Sequence, residues 1–386
     1  MIPRTLFEAD HEAYRDSVRR FVAGELAPRH AHWEREGIVP RGIWRQAGAA
    51  GLLCCGVAER YGGPEASFLF NVVVIEELAR AGITAPGFFI HSEMVAPYLE
   101  VYASEALKSR WLPRMVRGEA IGAIGITEPG AGSDVRGIAA TARRDGGEYV
   151  INGQKTFISN AHNCDFVVLV VKSGPPGERG AMSLILVESD RAGFSRGPRM
   201  QKLGNRGQDT AELFFDDVRV PASNLIGAEH RAMAYLTNNL ARERLAQAVR
   251  AAAVCEATLE QTVAHVKARM AFGQPLAAFQ NTRFKLAELR AAITAARVYV
   301  DRCIELQLRG TLDAADAAAL KLQLVELQCA TVDQCLQLHG GSGYLWDSPV
   351  CRAYADARIA KIAGGSLEIM KQIIARDLID PPGGRD

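Results

Sequence analysis

Apolar residues recur every three to four positions through segments 8–25, 40–50, 68–80 and 104–116. This spacing predicts amphipathic helices over roughly the first 118 residues. Gly-Gly-Pro at 62–64 and Ala-Pro-Gly at 85–87 punctuate them. The period then shortens. FVVLVVKS (166–173), SLILVES (183–189) and AELFFDDVRVP (211–221) predict strands. YVINGQKTFIS (149–159) sets Asn152-Gly153 between β-favouring flanks and predicts a hairpin closed by a tight primed turn. From about 229 to 380 long helical patterns rich in Ala, Leu, Arg and Glu return, broken at Gly310 and at HGGSGYLWDSP (339–349). The tail DPPGGRD is expected to fray. Helices, then strands, then helices predict an α+β protein with segregated domains: 1–118 helical, 119–228 an antiparallel sandwich or barrel, and 229–386 a helical bundle.

A chain of 386 residues has room for two or three domains and a large core. A net charge of +1 gives no reason to expect nucleic acid or an anionic membrane as partner. The start, MIPRTLFEADHEAYRDS, is acidic and carries no hydrophobic signal core. The longest compact apolar run, 166–171, is far too short to span a bilayer. The eight cysteines form no C-x-x-C pair, and adjacent Cys54 and Cys55 suit neither zinc nor a redox motif. Reduced, mostly buried thiols in a cytoplasmic protein, with no metal site, are the expectation.

Several segments could carry chemistry. GAGSDV (130–135) lacks the third glycine of a dinucleotide fingerprint, and neither a Walker A pattern nor H-E-x-x-H occurs. GITEPGAGSD (125–134) leaves a strand and surrounds Thr127, Glu128 and Ser133 with glycines, which admit a ligand close to the backbone N–H groups. The segment reads as an anion- or ring-binding loop or as a plain surface turn. In KTFISN (155–160) a period of two puts Phe157 and Ser159 on one face, an aromatic beside a hydroxyl suited to a flat heterocycle, or ordinary core packing. RMAFGQPLAAFQ (269–280) offers Arg269 to a phosphate, or to solvent. Glu243 falls at i+3 from Leu240 and i+7 from Leu236, on their apolar stripe. Burial there would raise its pKa towards base chemistry; a surface position among Arg242, Arg244 and Arg250 is the alternative.

Together these segments resemble the acyl-CoA dehydrogenase family, flavoenzymes that desaturate acyl thioesters. GITEPGAGSD, INGQKTFISN, LGNRGQDTAELFFDDVRVP, RMAFGQPLAAFQ, QLHGGSGY and DARIAKIAGGSLEIM occur in the family's order and approximate spacing, nearly end to end. The resemblance implies a helical N-terminal domain, a central antiparallel β domain and a C-terminal four-helix bundle. It also implies FAD as cofactor, a homotetramer built as a dimer of dimers, and electron transfer flavoprotein as the electron acceptor. Ile126, Thr127, Gly132, Ser133, Phe157, Ile158 and Ser159 match positions that meet the flavin. Arg269, Phe272, Gln280, Gln337, Leu338, Gly340 and Gly341 match positions that reach the cofactor across a subunit boundary, and Ser366 and Glu368 match contacts to its adenosine diphosphate portion.

Many members of the family carry the catalytic glutamate at the position of Gly364, where this chain has no acid. A minority, of the isovaleryl and long-chain types, carry it on a C-terminal-domain helix in a motif resembling x-E-R-L, which Arg242-Glu243-Arg244-Leu245 matches. The resemblance therefore implies Glu243 as base for the α-proton and the Gly364 N–H as donor to the thioester oxygen. Ser133, Ala241, Arg244, Gly364 and Gly365 are the implied substrate contacts, and a Glu at 364 is a candidate relocation of the base when Glu243 is removed. Segment 88–98 is expected to line part of the pocket, with His91 either facing substrate or satisfied within the core. An oxidase of the same fold, a dehydrogenase of carrier-protein thioesters and a non-enzymatic relative are the competing readings.

Overall fold

The computed structural model describes residues 2–175 and 181–379; the tail expected to fray lies outside them. Six α-helices lead: α1 (Ala9–Phe21), α2 (Ala27–Glu36), α3 (Arg41–Ala49), α4 (Phe68–Arg80), α5 (Ala96–Tyr102) and α6 (Glu105–Val116). The single helix expected over 8–25 ends sooner, because the backbone widens into a π-turn at Val22–Leu26 before Pro28 opens α2. Proline has no N–H to continue the ladder and fits the first turn of a new helix. A second π-turn, Ile90–Val95, precedes α5.

Eight strands follow: β1 (Gly122–Gly125), β2 (Thr141–Asp145), β3 (Glu148–Ser159), β4 (Phe166–Lys172), β5 (Met182–Glu188), β6 (Phe194–Arg196), β7 (Thr210–Pro221) and β8 (Leu225–Ile226). They form one sheet in the order β6-β7-β3-β2-β4-β5-β8, with β1 added on β4. The sheet is mixed rather than antiparallel throughout. β1 runs parallel to β4, because the chain enters the sheet from a helical layer and not from a hairpin. β4 is fully buried on both faces up to Val171, as its unbroken apolar run requires.

The hairpin expected at Asn152-Gly153 is absent. The turn lies at Gly146-Gly147 between β2 and β3, and β3 runs straight through Asn152. Asn152 instead stands opposite a bulge in β7, where Asp216 and Asp217 together face it and the register shifts between Ile151 and Gly153. The Asn152 amide exchanges two 2.9 Å hydrogen bonds with Asp217 across the strands.

The C-terminal part opens with the 37-residue helix α7 (Ala232–Ala268). A two-residue ribbon, β9 (Met270–Ala271) and β10 (Gln274–Pro275), leads to α8 (Gln280–Leu308), α9 (Ala314–His339), α10 (Pro349–Ala357) and α11 (Leu367–Ile379). α7 packs on α8 and α9, and α11 on α9. Much of α7 is alanine and buried on more than one side. Leu245, Val249 and Ala252 join Phe68, Leu69 and Val72 of α4 and Val300 and Leu320 of the bundle in one core. α7 therefore links the leading helices to the bundle, and its first half lies between them. Buried Arg297 ties the same elements by charge, with 2.9 Å to Glu76 of α4 and 2.7 Å to Glu256 of α7.

Candidate active site

Glu243 sits in the first half of α7 with only 3% of its surface exposed. Burial pushes its carboxyl up to about 7, against the opposing pull of a Tyr98 hydrogen bond and the charges of Arg244, Lys321 and Arg242. The Tyr98 hydroxyl donates to Glu243 Oε1 at 3.3 Å. Arg242 turns away, 3.1 Å from Glu93 and over the Phe68 ring. Arg244 is itself buried; its Nε finds no partner among the described residues, and burial lowers its pKa. The carboxylate thus lies in an apolar helix junction, not on a solvated face.

Loop 363–365 faces the same region. Gly364 and Gly365 have φ of +67° and +88°, the left-handed region that glycine enters at little cost. A Cβ at Gly364 would run into the side-chain amide of Gln247, one helical turn beyond Glu243. An acid at position 364 therefore needs the tip of the flexible Gln247 side chain to move aside and a non-glycine residue to hold φ +67°. Lys321 of α9, with no exposed surface, donates to the carbonyls of Ala363 (2.6 Å), Gly364 (3.0 Å) and Gly365 (2.7 Å). Burial draws its ammonium down to about 7, and Arg244 pushes the same way while Glu243 opposes. Tyr98, Gln247 and Lys321 were not singled out from the sequence as site residues. The lone lysine in the apolar pattern AALKLQL was the available signal for the third.

On the sheet, Lys155 and Glu128 make a buried ion pair at 2.7 Å behind loop 126–133. Lys155 also donates to the Ile126 carbonyl at 3.0 Å, and the Thr156 N–H to the Thr127 carbonyl at 2.9 Å. Glu128 is consequently a support of this loop. Phe157 lies at a bulge with φ +58° and is 66% exposed, while Ile158 points into the core and Ser159 is half-buried. The Phe157–Ser159 face exists, therefore, but a bulge produces it together with the strand period. Gly130 and Gly132 border open space, and Ser133 is exposed beside them. An exposed aromatic, half-buried hydroxyls and an open glycine edge fit a planar heterocycle laid on the sheet rim.

The remaining expected contacts divide. Ser366 and Glu368 open α11; Glu368 is exposed and held below the usual carboxylate range by its own N–H and the Ser366 hydroxyl, unlike Glu243. Arg269, Phe272, Gln280, Gln337, Leu338, Gly340 and Gly341 gather at the far end of the bundle, where His265 and His339 stack at 4.1 Å. Ala268 lies 25 residues past Glu243 on α7, about 38 Å along the axis. The two groups cannot serve one site within a single chain. Ala241 is half-buried but lies about 200° around α7 from Glu243. It does not share that face with the base. His91 is buried in the core, accepting from the Gly122 N–H at 3.1 Å and paired with the Met115 carbonyl at 3.1 Å. Burial lowers its pKa to about 4, so it is a neutral core residue.

Comparison with known proteins agrees along the whole chain. Residues 8–119, 123–218 and 231–379 match the N-terminal, middle and C-terminal domains of acyl-CoA dehydrogenase. The long-chain specific acyl-CoA dehydrogenase of Sus scrofa is 43% identical, covering 97% of this chain and 88% of that protein. The isovaleryl-CoA dehydrogenase of Pongo abelii is 33% identical over 94% of this chain and 87% of its own. The crystal structure of acyl-CoA dehydrogenase from Geobacillus kaustophilus superposes with a TM-score of 0.96 at 40% identity, covering 98% of this chain and all of that one. The acyl-CoA dehydrogenase from Bacillus anthracis, complexed with FAD, gives 0.90 at 28% identity, covering 97% and 68%. The chain belongs to the acyl-CoA dehydrogenase family, as the three domain matches and these relatives show.

Proposed function

We infer that the protein catalyses FAD-dependent α,β-dehydrogenation of an acyl-CoA thioester to the trans-2-enoyl-CoA, with Glu243 as the base. The observation that carries this is a buried carboxylate, poised near pH 7, on a helix that faces a left-handed glycine loop. Such a pKa suits general-base work at neutral pH. Tyr98 fixes which oxygen of Glu243 is free to take the α-proton. The Gly364 N–H donates to the thioester oxygen, where charge collects as that proton leaves. Arg244, buried beside the base, offsets the carboxylate's charge. Bound FAD supplies the acceptor for the β-hydride. Thr127, Ser133, Phe157 and Ser159 would hold its ring system, which the open, aromatic rim of the sheet supports.

The remoteness of Arg269, Phe272, Gln280 and 337–341 supports their service to a neighbouring subunit's cofactor in a homotetramer. Phe272, 95% exposed at a turn with φ +50°, and Tyr344, 82% exposed, support a protein surface meeting them. Electron transfer flavoprotein as acceptor rests on family membership. A cytoplasmic, reducing compartment is supported by eight free thiols. Among the described residues no helix is long and apolar enough to cross a membrane. Higher identity to the long-chain relative supports a long acyl chain.

The test is a dye-coupled assay over straight, branched and carrier-linked thioesters with wild type and Glu243→Gln. The variant should retain FAD and lose on the order of 10²–10⁴ in turnover. Near-normal turnover would remove Glu243 from the reaction. Rapid peroxide release from the reduced enzyme in air would favour an oxidase.

A further inference from the structure

Lys321 is a buried titratable side chain that the reaction as described does not use. Its three N–H bonds go to three consecutive carbonyls, those of 363, 364 and 365, and it has no exposed surface with which to touch a substrate. In a trans peptide the C=O and the following N–H point in opposite directions across one plane, and the described chain has no cis bond. Drawing three carbonyls towards Lys321 therefore turns the N–H groups of Gly364, Gly365 and Ser366 away from it. None of those three donates to a backbone carbonyl among the described residues. A cation on a peptide oxygen also withdraws electron density through the amide and makes its N–H a better donor.

We propose that Lys321 is a positioning residue for the reaction: its ammonium grips the carbonyls of 363–365 so that the Gly364 N–H is aimed at, and polarised towards, the thioester oxygen. This rests on the reading of Gly364 as the oxygen's donor and of Glu243 as the base. In the step served, the α C–H bond breaks, its proton passes to a Glu243 carboxylate oxygen, and the electron pair is delocalised onto the thioester oxygen. The lysine neither gains nor loses a proton. Its reach also explains the two left-handed glycines. Three carbonyls can converge on one nitrogen only if the chain curls sharply, and φ values of +67° and +88° supply that curl.

The experiment uses the FAD-loaded enzyme and an acyl-CoA labelled with ¹³C at the thioester carbonyl. Infrared difference spectra are taken with Glu243→Gln, which holds substrate without turnover, and with Glu243→Gln combined with Lys321→Met or Lys321→Gln. The expected result is a carbonyl stretch lowered by binding to Glu243→Gln and moved back towards the free thioester in both Lys321 double variants. In the otherwise wild-type enzyme, Lys321→Met should reduce kcat on the order of 10–100-fold with KM little changed, somewhat less than the loss of an oxyanion donor outright. Flavin absorbance verifies that each protein is loaded, and if the Met variant does not load, the Gln variant, which keeps two donors and no charge, decides. A stretch lowered equally with and without Lys321 overturns the proposal alone. A stretch that binding does not lower at all overturns the Gly364 donor, and with it the proposal. Turnover surviving in Glu243→Gln strikes the underlying reading instead.

Discussion

The side-chain amide of Gln247 fills the space into which a Cβ at Gly364 would project. Gln247 follows Glu243 by one turn of α7, so base and filler present the same face of one helix to the glycine loop. A chain that carries its acid on α7 has set a movable amide tip at the other place for it. Gly364→Glu combined with Glu243→Gly should therefore recover only part of the activity, since the new residue must hold φ +67° and the Gln247 amide tip must move aside. The left-handed conformation alone costs about 1–2 kcal/mol. Adding Gln247→Ala frees the space but leaves the strain. Turnover and thermal melting of the double and triple variants check this; full activity in the double variant would mean that the loop yields easily.

Glu243 should also destabilise the folded protein at neutral and higher pH. Its folded pKa, about 7, lies above the ordinary carboxylate range. Below about pH 4 the group is protonated in both states and nothing is lost. Between there and pH 7 the unfolded chain ionises while the folded one resists, and the penalty grows, on the order of 3 kcal/mol when complete. Glu243→Gln removes it. The variant should melt at a higher temperature than wild type at pH 8 and at nearly the same temperature at pH 4.5. An equal difference at both values would mean that Glu243 is not neutral in the fold at low pH because of burial.

Tyr98 stabilises the charged form of Glu243 with its 3.3 Å hydrogen bond. Tyr98→Phe removes that donor and little volume, so the Glu243 pKa should rise further. Because the base acts unprotonated, the acid limb of the kcat/KM profile should move to higher pH. A limb that stays in place would detach the tyrosine from the base.

The helices and strands were legible where local pattern decides them. β4, β5 and β7 begin and end within one residue of the runs 166–173, 183–189 and 211–221, the first two because a continuous apolar stretch is buried on both faces and the third because apolar and polar residues alternate along its second half. Glu243 was legible for a similar reason, its stripe being set by i+3 and i+7 neighbours. What escaped depends on partners far along the chain. Asn152-Gly153 has turn chemistry, yet the bulge at Asp216-Asp217 of β7 brings Asp217 onto the Asn152 amide and holds the pair in the strand. Lys321 finds its carbonyls 42 to 44 residues onward, and Gln247 finds Gly364 across a helix junction. Neither contact has a spacing that a sequence could display.

The ion pair behind the sheet-edge loop gives the last test. Lys155 has no exposed surface, pairs with Glu128 at 2.7 Å and bonds the Ile126 carbonyl, while Glu128 takes the Ala140 N–H at 3.0 Å. Burial works against the lysine's charge, and Glu128 opposes that loss. Lys155→Met strands a buried carboxylate and should cost on the order of 3–5 kcal/mol. Lys155→Met with Glu128→Gln removes both charges but keeps one acceptor oxygen where the carboxylate offered one to each of the Ala139 and Ala140 N–H groups, so only part of that stability should return. FAD affinity should fall in both, since either change releases the Ile126 carbonyl that fixes the loop. Urea unfolding and flavin titration separate the effects: partial recovery of stability without recovery of flavin binding is the expected pattern, and recovery of both would show that the lysine holds the ion pair but not the loop.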